Sequence, residues 1–311
     1  MRKVAIIDCG TNTFHLLIAE VIKKEYRTLF YEKKVVKIGQ GGINKKIIYS
    51  DAEERAMSAL KDFRKHIDAQ SVTEIHAFAT SAFRNASNGE TIKNRIAQET
   101  NIHLQIISGE DEASLIFNGI TFAMKVGKKP VLAMDIGGGS VEFIIGTGSK
   151  VYWKTSLEIG AQRLMDLFHK HDPISTKEIS SLKEYLVSQL TGLFEVTKQY
   201  ELNTLIGASG TFETLSAIHR ASRSSINSEE LAEVPLTLSS YYLIHDKLVA
   251  YNREQRLAIP GMLEMRVDMI VVASFIIHVL LENLPIQQIR VSRYALKEGV
   301  LARIVESNGL S

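Results

Sequence analysis

One cysteine, Cys9, stands in the whole chain of 311 residues, so no internal disulfide can form and no cysteine-based metal site can be built. Proline is also scarce, at 5 residues, and no proline-rich linker or low-complexity segment appears. Long apolar runs are missing. Val4–Ile7 is broken at once by Asp8, Asn12 and His15, and the stretch Met269–Leu281 contains His278 and is flanked by acids, which suits a buried helix. No signal peptide is visible, and a reducing cytoplasm is the expected location. There is little excess charge of either sign: the formal net charge is +2, which points neither to nucleic acid nor to a polyanion by itself. The length favours two domains, and Gly127-Lys128-Lys129-Pro130 is the best candidate boundary.

What is present is alternation. Val4–Ile7 reads as a strand ending in turn chemistry at Asp8-Cys9-Gly10-Thr11-Asn12, and Phe14–Ile18 resumes as strand. Residues 27–38 read as two short strands. A helix follows from about Asp51, with Ser50 and Glu53 as a capping box and Ala56, Leu60, Phe63 and Ile67 on one face. Strands at Ile75–Ala79 and His103–Ile107 lead into Thr80-Ser81-Ala82-Phe83-Arg84 and Ser108-Gly109-Glu110-Asp111-Glu112. The second half repeats the plan. Val131–Met134 and Val141–Ile145 are strands, Ser175 and Glu178 cap a long helix, Leu205–Thr211 is a strand entering a helix, and Ile289–Ser292 precedes a terminal helix. The pattern is that of an α/β protein.

The most informative feature is an internal repeat. Val4 to His15 and Val131 to Glu142 each consist of an apolar strand, Asp-x-Gly, small polar or glycine residues, and a second strand, 127 residues apart. Glycines at such turns let backbone N–H groups form a concave nest for anionic oxygens. Thr11, Asn12 and Ser140 can add hydrogen bonds, and an Asp at the strand end can bind Mg²⁺ directly or through water. The candidate phosphate-binding residues are therefore Asp8, Gly10, Thr11, Asn12, Gly137, Gly138, Gly139 and Ser140. Ser209, Gly210 and Thr211 join them at a strand-to-helix junction, and Arg84 follows a strand and a Thr-Ser turn. Asp135 and Glu142 flank the glycine turn across a hairpin, where both carboxylates can reach one Mg²⁺ (or Mn²⁺). His15, at the matching place in the first repeat, suits packing or hydrogen bonding better than metal ligation. Arg163 and Arg266 are secondary candidates. The pairs Lys23-Lys24, Lys33-Lys34, Lys45-Lys46 and Lys128-Lys129 suit ordinary solvated faces, with polyanion steering as the alternative. Glu110, Asp111 and Glu112 in a first helical turn complement the helix dipole, which leaves a chemical role for any one of them open.

Over nearly its whole length the sequence resembles the exopolyphosphatase and guanosine pentaphosphate phosphohydrolase family of the actin and sugar-kinase superfold. The residues that carry the resemblance are Asp8–His15, Ala79–Arg84, Ile107–Ala113, Asp135–Glu142, Leu157–Ala161, Gly207–Thr211 and Val291–Leu301. The resemblance implies two ribonuclease H-like domains, expected over residues 1–126 and 127–311 with the terminal helix free to pack back on the first, and a site in the interdomain cleft. It implies that Glu112 orients and deprotonates the attacking water, and it supports Asp135 and Glu142 as metal ligands. The expected substrate is inorganic polyphosphate, losing terminal orthophosphate, with guanosine pentaphosphate as the alternative. A kinase or ATPase, or a non-catalytic sensor of polyphosphate or alarmone, are readings of other classes. No nucleic-acid or membrane partner is expected, and a homodimer is an expectation from relatives alone. Longer members carry further helical domains that help bind long chains. Their absence before Ser311 leads to an expectation of shorter polyphosphate or less processive action. Ala295, where the family often has glycine, and Tyr49-Ser50, where it has Leu-Ser, are departures that bear on local packing.

Overall fold

The computed structural model describes residues 2–222 and 231–308. The chain divides into two compact units, Met1–Phe122 with Leu296–Ser311, and Ala123–Ala295. The division therefore falls a few residues before the expected 126/127 boundary, and the terminal helix groups with the first unit.

The first unit contains β1 (Arg2–Cys9), β2 (Thr13–Ile22), β3 (Glu25–Val35), α1 (Ser50–Ala69), β4 (Glu74–Ala79), α2 (Ser81–Asn85), α3 (Gly89–Thr100), β5 (Leu104–Ile106) and α4 (Gly109–Ala123). Its sheet has the order β3-β2-β1-β4-β5. β1 runs antiparallel to β2 and parallel to β4, which runs parallel to β5. The parallel strands end together. Cys9 lies opposite Ala79, Thr80 N–H donates to Cys9 O (3.3 Å), and Ile107 N–H donates to Ala79 O (3.1 Å). The Asp8 turn, the segment Thr80–Arg84 and the start of α4 thus share one edge, where open α/β sheets bind ligands.

The second unit contains β6 (Val131–Ile136), β7 (Val141–Gly146), β8 (Val151–Leu157), α5 (Ala161–Phe168), α6 (Thr176–Thr197), β9 (Thr204–Ala208), α7 (Ser209–Ala221), β10 (Glu233–Val234), α8 (Leu238–Ala250), α9 (Arg253–Leu257), α10 (Ile270–Asn283) and β11 (Gln288–Ser292). Its sheet order is β10-β11-β9-β6-β7-β8, with β6, β9 and β11 parallel. The final helix, α11 (Leu296–Asn308), belongs to the first unit. Gly299 meets α4 so closely that an added Cβ would lie 1.8 Å from Leu115 O.

Each unit has its own apolar core, one built on Ile7, Phe14, Leu60 and Phe63, the other on Phe143, Leu186, Phe212 and Ile276. The apolar stretch after Met269 is the buried helix α10, and among the described residues no helix is long and apolar enough to cross a membrane.

Three local expectations need correction. Residues 27–38 hold a single strand, β3, because a register shift between Ile18 and Ala19 keeps the pairing of β2 with β3 going past its irregular point. Ser50 is the first residue of α1, not its cap. Tyr49 holds the cap position without a side-chain bond, so the Ser50–Glu53 box does not form. Arg84 lies in the short helix α2 rather than in a loop. The Ser175–Glu178 capping box does form, at the start of α6.

Candidate functional site

The two Asp-x-Gly hairpins are the same structure twice. Gly10 N–H donates to Thr13 O at 3.1 Å, and Gly137 N–H donates to Ser140 O at 3.0 Å. Asp8 lies opposite His15 across β1 and β2, and Asp135 lies opposite Glu142 across β6 and β7.

The carbonyls of each turn are held from behind. Gly137 O accepts from Ala161 N–H (2.9 Å), Gly138 O from Gln162 N–H (2.9 Å), and Gly139 O from Gly160 N–H (3.1 Å). In a trans peptide the N–H points opposite to the C=O of the same unit. The N–H groups of Gly138, Gly139 and Ser140 are therefore all turned away from α5, as an anion nest requires. The first hairpin is backed similarly, with Thr11 O accepting from Gly39 N–H (3.2 Å) and Asn12 O from Val36 (3.0 Å) and Lys37 (2.9 Å). That backing aims the N–H groups of Asn12 and Thr13 the other way.

Arg163 is part of this brace. Its Nε donates to Gly139 O (2.8 Å) and its Nη2 to Glu158 (2.8 Å), so the guanidinium supports the turn through its carbonyl side. Thr11, Asn12 and Ser140 are all buried.

In the first unit, the three acids that open α4 differ in burial. Glu110 and Asp111 are exposed, and Glu112 is buried. Ser108 Oγ accepts from Asp111 N–H (3.1 Å), satisfying one orphan donor of the helix start. Arg84 Nη1 donates to Glu112 Oε2 (2.9 Å) and to Ile107 O (3.1 Å), so the structure brings Arg84 and Glu112 together as a largely buried ion pair. His15 bonds Thr13 Oγ1 (3.0 Å) and Tyr31 OH (2.9 Å), which is a hydrogen-bonding role.

In the second unit, Asp135 and Ala208 are register partners, which sets the Asp135 turn beside the β9-to-α7 junction. Ser209 there adopts φ +68°, a left-handed conformation uncommon for a residue with a side chain. Gly210 has a specific reason to be glycine: an added Cβ would lie 2.0 Å from Arg266 Nη2. Arg266 is 8% exposed, its Nε has no hydrogen-bond acceptor among the described residues, and Glu213 and Asp135 act on it electrostatically. Burial lowers its pKa from the ordinary value, while those two carboxylates raise it. A buried guanidinium over a helix start is the strongest anion feature of the unit, and the sequence ranked it second. Its signal there was an arginine close to Asp268.

The metal expectation can be tested on donor chemistry. Among the described residues no cluster of three or more His, Cys, Asp or Glu side chains forms. Asp135 and Glu142 are directly paired and buried, and Ser156 Oγ donates to Glu142 Oε1 (2.7 Å) from β8. Opposed residues of an antiparallel pair share a face with Cβ atoms about 5 Å apart. Two hard carboxylates suit Mg²⁺, which typically completes its octahedron with water and substrate phosphate. The residues fit.

Comparison with known proteins follows the same lines. The family model described as Ppx/GppA phosphatase family matches residues 17–308. The crystal structure of an exopolyphosphatase from Cytophaga hutchinsonii is 42% identical, with 98% of each chain covered and a TM-score of 0.94. The Ppx/GppA family member from Aquifex aeolicus is 27% identical over 100% of this chain and 99% of that one, with a TM-score of 0.82. A guanosine-5'-triphosphate,3'-diphosphate pyrophosphatase from Pseudoalteromonas translucida is 30% identical over 96% of this chain, which spans 58% of that protein. The non-catalytic sensor reading finds no support among these relatives. The fold is the α/β architecture, with two mixed sheets, of the solved Ppx/GppA family structures. With these matches across nearly all of its length, the chain belongs to the Ppx/GppA phosphatase family and is a hydrolase of that class.

Proposed function

We propose that this protein is an exopolyphosphatase, releasing terminal orthophosphate from inorganic polyphosphate by attack of water. The observation that carries the reading is the Arg84–Glu112 pair: one buried carboxylate, singled out from three acids and held by a guanidinium. Glu112 accepts the proton of the attacking water. Arg84 exchanges its bond to Glu112 for a phosphate oxygen, so substrate binding frees the base as it arrives. The N–H groups of Gly138, Gly139 and Ser140, the α7 start at Ser209, Gly210 and Thr211, and Arg266 hold phosphate oxygens in the second unit. In the first unit Gly10, Thr11 and Asn12 do so, and Asp8 would orient a water of the hydrated metal. Asp135 and Glu142 would hold Mg²⁺ (or Mn²⁺), which supplies charge neutralisation at the phosphate oxygens.

The likeness to the Cytophaga hutchinsonii exopolyphosphatase, at 42% identity, supports polyphosphate as substrate. The 30% identity to the Pseudoalteromonas translucida pyrophosphatase supports guanosine pentaphosphate as the second reading. Phosphate release measured side by side on long-chain polyphosphate, short-chain polyphosphate, guanosine pentaphosphate and ATP decides between them. The proposal expects the highest kcat/KM on polyphosphate. A higher value on guanosine pentaphosphate would replace it with the second reading.

A further inference from the structure

Arg256 is 1% exposed, heads the fully buried side chains by volume, and has no part in the chemistry above. A guanidinium in that position is costly unless every donor it turns inward finds an acceptor, and a hydrophobic side chain could often fill such a space as well. Its bonds show what it does instead. Nη1 donates to Asp172 Oδ1 (2.7 Å) and to Tyr251 O (2.6 Å), and Nε donates to Val267 O (3.2 Å). Val267 is the residue directly after Arg266.

The same network reaches one residue further. The second carboxylate oxygen of Asp172 accepts from Arg253 N–H (2.6 Å), and Arg253 Nε donates to Asp268 Oδ1 (2.9 Å). Asp172 therefore braces both arginines of α9, and these hold Val267 and Asp268. The Arg253–Asp268 pair is half exposed and contributes little by itself. The Arg256 bonds are buried and carry most of the constraint. His169 lies beside Asp172, its Nε2 3.8 Å from Oδ1. Burial, then the charge of Arg256, lower its pKa from the ordinary value, so it remains neutral and leaves Asp172 to the arginines.

Arg266 needs such a brace. Its Nε has no acceptor among the described residues, and its position over Gly210 is set by the backbone of the tight turn Glu264–Arg266. We propose that Arg256, braced by Asp172, is a positioning residue that fixes this turn and thereby keeps the Arg266 guanidinium aimed at a substrate phosphate. The inference rests on the phosphate contact assigned to Arg266 under the proposed function.

The test is a double-mutant cycle on the full chain, read as phosphate release from polyphosphate, with thermal melting of each variant. Residues that act through one another give non-additive effects, while independent ones multiply. Asp172→Asn keeps the shape and removes the charge that holds Arg256, so the fold is expected to survive. In the otherwise unchanged protein it should raise KM roughly tenfold with little change in kcat. In an Arg266→Gln background it should change KM no further. Arg256→Lys should fall between the parent and Arg256→Gln, because an ammonium retains the charge without the fork. Equal factors for Asp172→Asn in both backgrounds would overturn the inference, as would a lower melting temperature with an unchanged KM. An Arg266→Gln variant with the parent KM would instead remove the phosphate contact itself, and the inference with it, so the two failures are told apart.

Discussion

Substituting alanine for Gly160 should disable the enzyme without unfolding it. Gly160 sits at φ −63° and ψ 160°, a conformation any residue adopts, so no backbone strain is involved. The obstacle is space. An added Cβ would lie 2.4 Å from Gly139 C and 2.5 Å from both Gly138 C and Gly138 O. Carbon atoms in contact rest about 3.5 Å apart, so the glycine turn must retreat by roughly 1 Å. The atoms in the way are backbone, and they carry the carbonyls that Gly160 and Gln162 hold. Overpacking of this kind costs about 1–3 kcal/mol, partly offset by about 0.4–1 kcal/mol from the reduced entropy of the unfolded chain. Displacing a binding group by about 1 Å costs on the order of 100-fold in rate. Gly160→Ala should therefore lower kcat/KM for polyphosphate about 100-fold, with a modest fall in melting temperature. Gly192, exposed in α6 with nothing within 4 Å of an added Cβ, is the control. The same change there should stabilise the protein by about 1 kcal/mol and leave activity intact. A Gly160→Ala enzyme with the parent kcat/KM would refute the argument that the backing of the glycine turn aims its N–H groups.

Glu112→Gln should lower kcat by about 10²- to 10⁴-fold while polyphosphate binding, followed by equilibrium titration, is largely kept; retained turnover would sink the assignment of the base. Ser156→Ala removes the hydroxyl that orients Glu142, and the Mg²⁺ concentration for half-maximal activity should rise about tenfold; an unchanged requirement would place the metal elsewhere. His245 gives a pH prediction for stability. Burial, with His278 stacked 4.3 Å away and Lys183 nearby, lowers its pKa to about 3. The unfolded chain binds this proton near pH 6.5, so the stability is complete above that pH and declines as the pH falls towards 3. Denaturant melts at pH 5 should show a loss of about 2 kcal/mol from this group, and His245→Asn should flatten that slope.

The hairpins were legible because their chemistry is local. An apolar run, an aspartate and a glycine within a few residues define the turn, and the 127-residue repeat supplies its own confirmation. Ser175 was legible as a cap for the same reason, whereas Ser50 misled because the helix starts one residue early, at the serine itself. Arg84 read as a loop residue because a five-residue helix is too short to show a period. Among the three acids of α4, Glu112 is set apart by burial and by its bond to Arg84, and both depend on packing that no neighbouring residue announces. The Asp172–Arg256 contact joins residues 84 positions apart, and Arg266 owes its place to it. Contacts across such separations leave no mark in local pattern.

The grouping of α11 with the first unit has a consequence for the order of events during synthesis. Residues 123–295 form one uninterrupted stretch and can complete their core as soon as they have been made. The unit that is started first is finished last, since its sheet and α4 wait for Leu296–Asn308 to dock, with Gly299 against Leu115 and Gly119. Glu112 stands on that helix, one turn from the contact. A ribosome-bound chain made as far as residue 295 therefore holds one complete unit, while the helix that carries Glu112 still lacks the packing partner that α11 supplies.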